Sequence, residues 1–153
     1  LGSRIKCNPS IKTAADRVAL RQAVVDGTLC VIGTDHAPHL LSEKEGGALK
    51  AASGMPMIQF SLISMLDLFG PIVTVERMCH APAELFRIRK RGYIRKGYYA
   101  DLVIVRPQPW MLSRDDILSK CKWSPLEGHQ FQHKVVQTFI NGISQKSMPL
   151  LFT

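Results

Sequence analysis

Gly33-Thr34-Asp35-His36-Ala37-Pro38-His39 sets one carboxylate and two imidazoles within five residues, Asp35 to His39. The stretch follows Leu29-Cys30-Val31-Ile32, a short apolar run bounded by Gly27 and Gly33. Such a run predicts a buried strand of a parallel sheet over residues 29–33. In an α/β barrel, reactive side chains sit just past the C-terminal ends of the strands. Asp35 suits that place, because a carboxylate can bind a metal through one oxygen and take a proton from water with the other. His36 and His39 can be metal ligands, hydrogen-bond donors to a substrate, or packing partners.

Working outward, Thr13-Ala14-Ala15-Asp16 has the spacing of a capped helix start, and Gly27 supplies a stop. A helix over 13–26 followed by the strand over 29–33 makes one αβ unit. Upstream, Arg4-Ile5-Lys6-Cys7 reads as a short strand entering Asn8-Pro9, with Asn8 held extended by the following proline. The Asn8 carboxamide can donate and accept at once, which suits a carboxylate or a ring amide. The structural alternative is an Asx turn capping the next helix. Residues 40–54 read as a loop over a site, with Glu43 and Glu45 solvated. Met55 to Phe69 is apolar on nearly every face and predicts a buried helix ended by Gly70-Pro71. Thr74 is expected to cap a further helix through Cys79, and His80 to be structural. From Gly92 onward, Gly and Pro punctuate β-rich runs, and Asn141-Gly142 predicts a hairpin turn.

The heptapeptide closely resembles the last metal-ligand motif of dihydroorotases, within the cyclic amidohydrolase superfamily. Lys6-Cys7-Asn8-Pro9-Ser10-Ile11-Lys12 resembles that family's K-x-N-P-P-x-R segment. Gly92-Tyr93-Ile94-Arg95-Lys96-Gly97-Tyr98-Tyr99-Ala100-Asp101-Leu102-Val103 resembles the G-x-I-x-x-G-x-x-A-D-L-V pattern of the superfamily. Ser124-Pro125-Leu126-Glu127-Gly128 and Val136-Gln137-Thr138-Phe139-Ile140-Asn141-Gly142 resemble its closing segments. The resemblance implies an α/β fold: the C-terminal part of a metal-dependent (β/α)8 TIM barrel over residues 1–91, then a small β-rich unit of composite β-sandwich type over 92–153. A complete barrel takes roughly 250 residues, so a chain of 153 is expected to be an incomplete one.

By the same resemblance, the implied reaction is reversible, zinc-dependent opening of dihydroorotate to N-carbamoyl-L-aspartate in pyrimidine biosynthesis. Asp35 would ligate metal and shuttle a proton. Asn8 and His39 would hold substrate polar groups, and Ser53-Gly54 would contact the ring or its amide edge. A phenylalanine is common where Ser53 stands, so backbone groups carry that contact if it is made. Zinc, two ions per complete site, would take its remaining ligands from segments this chain lacks, leaving the isolated chain inactive. Ser10 and Lys12 also depart from the pattern, and Lys12 loses the bidentate fork of arginine. They keep open a related ring substrate, allantoin or a hydantoin, and a catalytically silent homologue serving as an assembly subunit. A homodimer, and association with an aspartate transcarbamoylase, are further expectations of the resemblance.

Composition bears on partners. The net charge is +8, much of it in Arg87, Arg89, Lys90, Arg91, Arg95 and Lys96. This reads as a solvated basic surface rather than a nucleic-acid site. No apolar run reaches the roughly eighteen residues that span a bilayer, so no membrane partner is expected. Cys7, Cys30, Cys79 and Cys121 form no C-x-x-C pair and read as reduced thiols of a cytoplasmic protein. His129 and His133 have i,i+4 spacing, but the β pattern around them argues against a helical metal pair.

Overall fold

A computed structural model describes residues 1–145. Residues 146–153 of the expected C-terminal unit lie outside the described residues. The fold is α/β, with helices gathered in the first two thirds and a small antiparallel sheet in the last.

Helix α1 spans Ala14–Asp26. Thr13 accepts from the Asp16 amide, and the Asp16 carboxylate takes the Thr13 amide in return, which closes the capping box. Gly27 ends the helix at φ 88°, in the left-handed region open to glycine. The next stretch corrects the sequence reading. Residues 29–33 form no strand. Leu29 and Cys30 are exposed. The Ile32 amide donates to the Arg77 carbonyl at 3.1 Å, on a helical segment rather than a neighbouring strand. A parallel strand needs flanking strands to pair its amides and carbonyls. Among the described residues this segment has only one parallel bridge, His36 with Met55.

The N-terminal expectation also changes. Gly2–Ile5 is a turn of 3-10 helix, not a strand. The loop over 40–54 contains a 3-10 turn, Leu41–Lys44, and a single turn of helix, α2, Gly47–Lys50.

Helix α3 runs Ser61–Val75, entered through a 3-10 turn at Ile58–Phe60. Gly70-Pro71 does not end it. Gly70 takes φ 73°, ψ 176°, and breaks the helix, but Pro71 restarts it, because a proline at the first helical position gives up an amide that has no partner there anyway. Thr74 is therefore inside a helix rather than a cap, and its hydroxyl donates to the Gly70 carbonyl at 2.7 Å. A π turn, Glu76–His80, leads into α4, Ala81–Leu85. The helical segments over Ile58–Leu85 are together long and apolar enough to cross a membrane by length and composition, with Asp67 interrupting the apolar run and Gly70 breaking the helix. Their expected burial is only partial. Ile63 and Thr74 are buried, whereas Ile72 is 85% exposed.

The sheet has three antiparallel strands in the order β1 (Leu102–Met111), β2 (Gln130–Ile140) and β3 (Ile143–Gln145). Asn141 and Gly142 close the β2–β3 hairpin at φ 52° and 80°, the paired positive values a two-residue I′ turn requires. The β1–β2 register slips between Pro107 and Trp110, where Pro107 and Pro109 have no amide to give the ladder. Phe60 and Ile63 pack with Leu112, Ile117 and Phe131 as the buried core, flanked by Trp110 and Leu126. One turn on from Ile63, the Asp67 carboxylate pairs with His133 Nδ1 and accepts the Gln132 amide at 2.9 Å. One stripe of α3 thus carries both apolar and polar contacts to β2.

Candidate active site

Three segments singled out in the sequence meet at one place. The Gly54 amide donates to the Lys6 carbonyl at 2.9 Å, which brings the segment of Asn8 beside the 53–54 pair. His39 Nε2 donates to the Ser53 carbonyl at 3.0 Å. The Ala37 amide donates to the Met55 carbonyl at 3.0 Å, so the heptapeptide and the 53–55 segment run side by side. Gly54 is required here. At its φ of 116°, a Cβ would lie 2.4 Å from the Ala37 methyl.

Lys44 holds the arrangement together, and nothing in the sequence reading pointed to it. Its side chain is 1% exposed. Nζ donates to the carbonyls of Lys6 at 3.0 Å, Ala52 at 2.6 Å and Gly54 at 2.7 Å. All three donors of the ammonium are used, on two of the three converging segments. Burial, with the Lys6 ammonium nearby, pushes its pKa below the usual 10.5. Lys6 in turn donates from Nζ to the Ala51 carbonyl at 2.6 Å. From the other side, the buried Trp123 donates its indole N–H to the His39 carbonyl at 2.7 Å, across 84 residues of sequence.

The predicted residues differ in what they offer. Asp35 is exposed and holds φ 44°, a left-handed value uncommon outside glycine. Asn8 is exposed, and the helix cap it might have supplied comes from Thr13 instead. His39 is half-buried. With Nε2–H spent on Ser53, its Nδ1 is left facing Glu43 at 3.9 Å. Ser53 is half-buried and Gly54 buried, with both Gly54 backbone groups already bonded. Glu43 does not stand free, since it also accepts the Leu40 amide at 2.6 Å. His36 Nδ1 accepts the Ile58 amide at 3.3 Å, and burial lowers its pKa from 6.5. It is a neutral packing group that ties the heptapeptide to the start of α3.

Zinc needs three or four protein ligands. Among the described residues no group of three or more His, Cys, Asp or Glu is placed to hold a metal ion. Asp35 is one carboxylate, and the neighbouring imidazoles are hydrogen-bonded to backbone. This donor set does not fit the ion. His129 and His133 do not form a metal pair either: His129 packs edge-on against Phe131 and His133 serves Asp67.

Residues 5–143 match the Amidohydrolase family. The chain belongs to that family. A dihydroorotase of Halobacterium salinarum is 35% identical over 135 residues, covering 84% of this chain and 32% of its own length. An allantoinase of Bacillus velezensis is 31% identical over 147 residues, covering 92% of this chain and 32% of its own. Among solved structures, the L-hydantoinase of Arthrobacter aurescens superposes with a TM-score of 0.83 at 25% identity, over 94% of this chain and 34% of its own. The D-hydantoinase of a Thermus species gives 0.83 at 18% identity, which speaks to the fold alone. This amidohydrolase chain therefore spans about a third of the length of the relatives it matches. Its α/β fold is that of a portion of theirs.

Proposed function

We propose that this chain forms the C-terminal part of a cyclic amidohydrolase acting on dihydroorotate. The support is the meeting of the Asn8 segment, the heptapeptide and Ser53-Gly54 around buried Lys44. In this reading a water attacks the ring amide carbonyl and Asp35 takes its proton. The carbon–nitrogen bond then breaks, and Asp35 returns the proton to the departing nitrogen, leaving N-carbamoyl-L-aspartate. Asn8 and His39 hold the substrate's polar groups, His39 through Nδ1. Zinc belongs to the proposal only with ligands from outside the described residues, Asp35 supplying one. The division at residue 91, homodimer formation, the transcarbamoylase partner and a cytoplasmic setting are parts of the same proposal.

A second ring substrate is favoured by the allantoinase relative and by Ser53 standing where dihydroorotases commonly carry an aromatic residue. The test is zinc-supplemented turnover of dihydroorotate, allantoin and hydantoin, side by side, by the full product of the encoding gene. Selective opening of dihydroorotate, abolished in Asp35→Ala, is the expected result. Preference for another ring moves the substrate, and no turnover by folded, metal-loaded protein refutes the enzymatic reading. The 153-residue chain alone is expected to show no zinc-dependent turnover.

A further inference from the structure

We propose that the cavity between α4 and the Gly92 turn binds a small polyphosphate-bearing molecule. The cavity is a solvent-open depression of about 540 Å³ on the surface. Arg87, Arg89, Lys90, Arg91 and Arg95 line it, against one carboxylate, Glu84. That carboxylate is already engaged, since it accepts the Tyr93 hydroxyl. Arg91 is engaged as well: it pairs with Asp101, donates to Asn141 Oδ1 at 2.9 Å and lies over the Tyr99 ring at 4.5 Å. The other four cations have no carboxylate partner within ion-pair distance among the described residues. All four are exposed, and together they focus a positive potential on one concavity that attracts anions.

The framework under these cations is fixed. The Ile88 amide donates to the Ala83 carbonyl at 2.8 Å, and the Tyr99 amide to the Lys90 carbonyl at 3.0 Å. Arg95 lies 4.0 Å over the Tyr93 ring, which also stacks on His80 at 4.1 Å. A planar guanidinium held on an aromatic face keeps its N–H edge for phosphate oxygens, which the fork of arginine matches in pairs. Four unpaired cations exceed what a dicarboxylate or a single phosphate neutralises, and they suit a di- or triphosphate. Single-stranded nucleic acid would need open aromatic faces on which bases stack. Of the two tyrosines lining the cavity, Tyr93 is covered by Arg95 and His80, and Tyr98 meets the Tyr93 ring edge-on with Arg95 5.9 Å from its centre.

The test is calorimetric titration of the full product of the encoding gene with inorganic tripolyphosphate, with orthophosphate and a single-stranded oligonucleotide as comparisons. One saturable site is expected, binding tripolyphosphate at least tenfold more tightly than orthophosphate. Arg89→Gln combined with Lys90→Gln should weaken it at least tenfold, with an unchanged circular dichroism spectrum, while Lys120→Gln, on an exposed residue outside the cavity, should leave it unchanged. Should the double variant misfold, Arg95→Gln replaces it, with the same loss expected. Equal weakening by Lys120→Gln, or binding with no saturable site, would reduce the observation to diffuse charge and overturn the proposal. Displacement of tripolyphosphate by a lower concentration of the oligonucleotide would also overturn it, in favour of nucleic acid.

Discussion

Replacing Lys44 by methionine keeps an unbranched stem of similar length and removes only the ammonium, so the cavity left behind is small. The loss is polar. Three carbonyls give up a donor, but not equally. The Lys6 carbonyl also accepts the Gly54 amide and stays paired, whereas Ala52 and Gly54 lose the side-chain donor that satisfies theirs. Each buried carbonyl left without a donor costs about 1–3 kcal/mol. Against this, the variant no longer dehydrates a charge, which offsets part of the loss. A net destabilisation of about 2–4 kcal/mol follows from these terms. The assay is urea denaturation of the two proteins, read as a shift of the midpoint at constant slope. Hydrogen exchange adds a local reading: the Gly54 amide should lose protection in the variant more than the amides of the β1–β2 ladder. A loss under about 0.5 kcal/mol, of the size seen for ordinary surface substitutions, would mean that water already satisfies these carbonyls. The clasp would then be refuted.

Gly54→Ala forces a methyl to within 2.4 Å of the Ala37 Cβ at a φ of 116°. It should cost about 1–3 kcal/mol from the backbone conformation alone, measured by the same denaturation, and displace the His39 ring resonances in an NMR spectrum. Asp16 and Asp116 cap their turns through Thr13 and Ser113, and those hydrogen bonds hold both carboxyls below the usual 3.8. A lowered folded-state pKa gives stability that is full above 3.8 and is lost as pH falls through the folded value. Thermal melts between pH 6 and pH 3 should therefore fall less steeply in the double variant Asp16→Ala, Asp116→Ala than in the parent, and parallel slopes would refute this.

The elements legible in the sequence are those whose cause is local. Thr13, Asp16 and Gly27 are neighbours of the helix they bound, and Asn141-Gly142 needs nothing beyond its own backbone preferences to turn the chain. The β-rich runs on either side of Met111 pair as β1 and β2, although neither alternates cleanly in burial, and it is β2 that packs on α3 through Phe131. What could not be read depended on partners distant in sequence or missing. Leu29-Cys30-Val31-Ile32 has a strand's composition, but a strand exists only with a neighbour to pair it. Lys44 reads as a solvated side chain because lysine is one in nearly every other setting. Its acceptors are backbone carbonyls, which leave no trace in residue identity. Pro71 reads as a stop unless the residue before it is known to leave the helix, as Gly70 does. Within the candidate site, proximity of the Asn8, His39 and Ser53-Gly54 segments followed from the family resemblance rather than from any local pattern. The spent Nε2 of His39 was not visible at all.

Trp123 gives the heptapeptide an optical reporter. The chain has two tryptophans, Trp110 and Trp123. With Trp110 replaced by phenylalanine, emission comes from one indole whose N–H is bonded to the carbonyl of His39 and whose ring is sealed from water. Any ligand or ion that pulls His39 aside breaks that bond and admits solvent, so occupancy at the heptapeptide is written into the colour and yield of a single fluorophore. A binding isotherm for this loop can be recorded without label, without turnover and without the rest of a barrel.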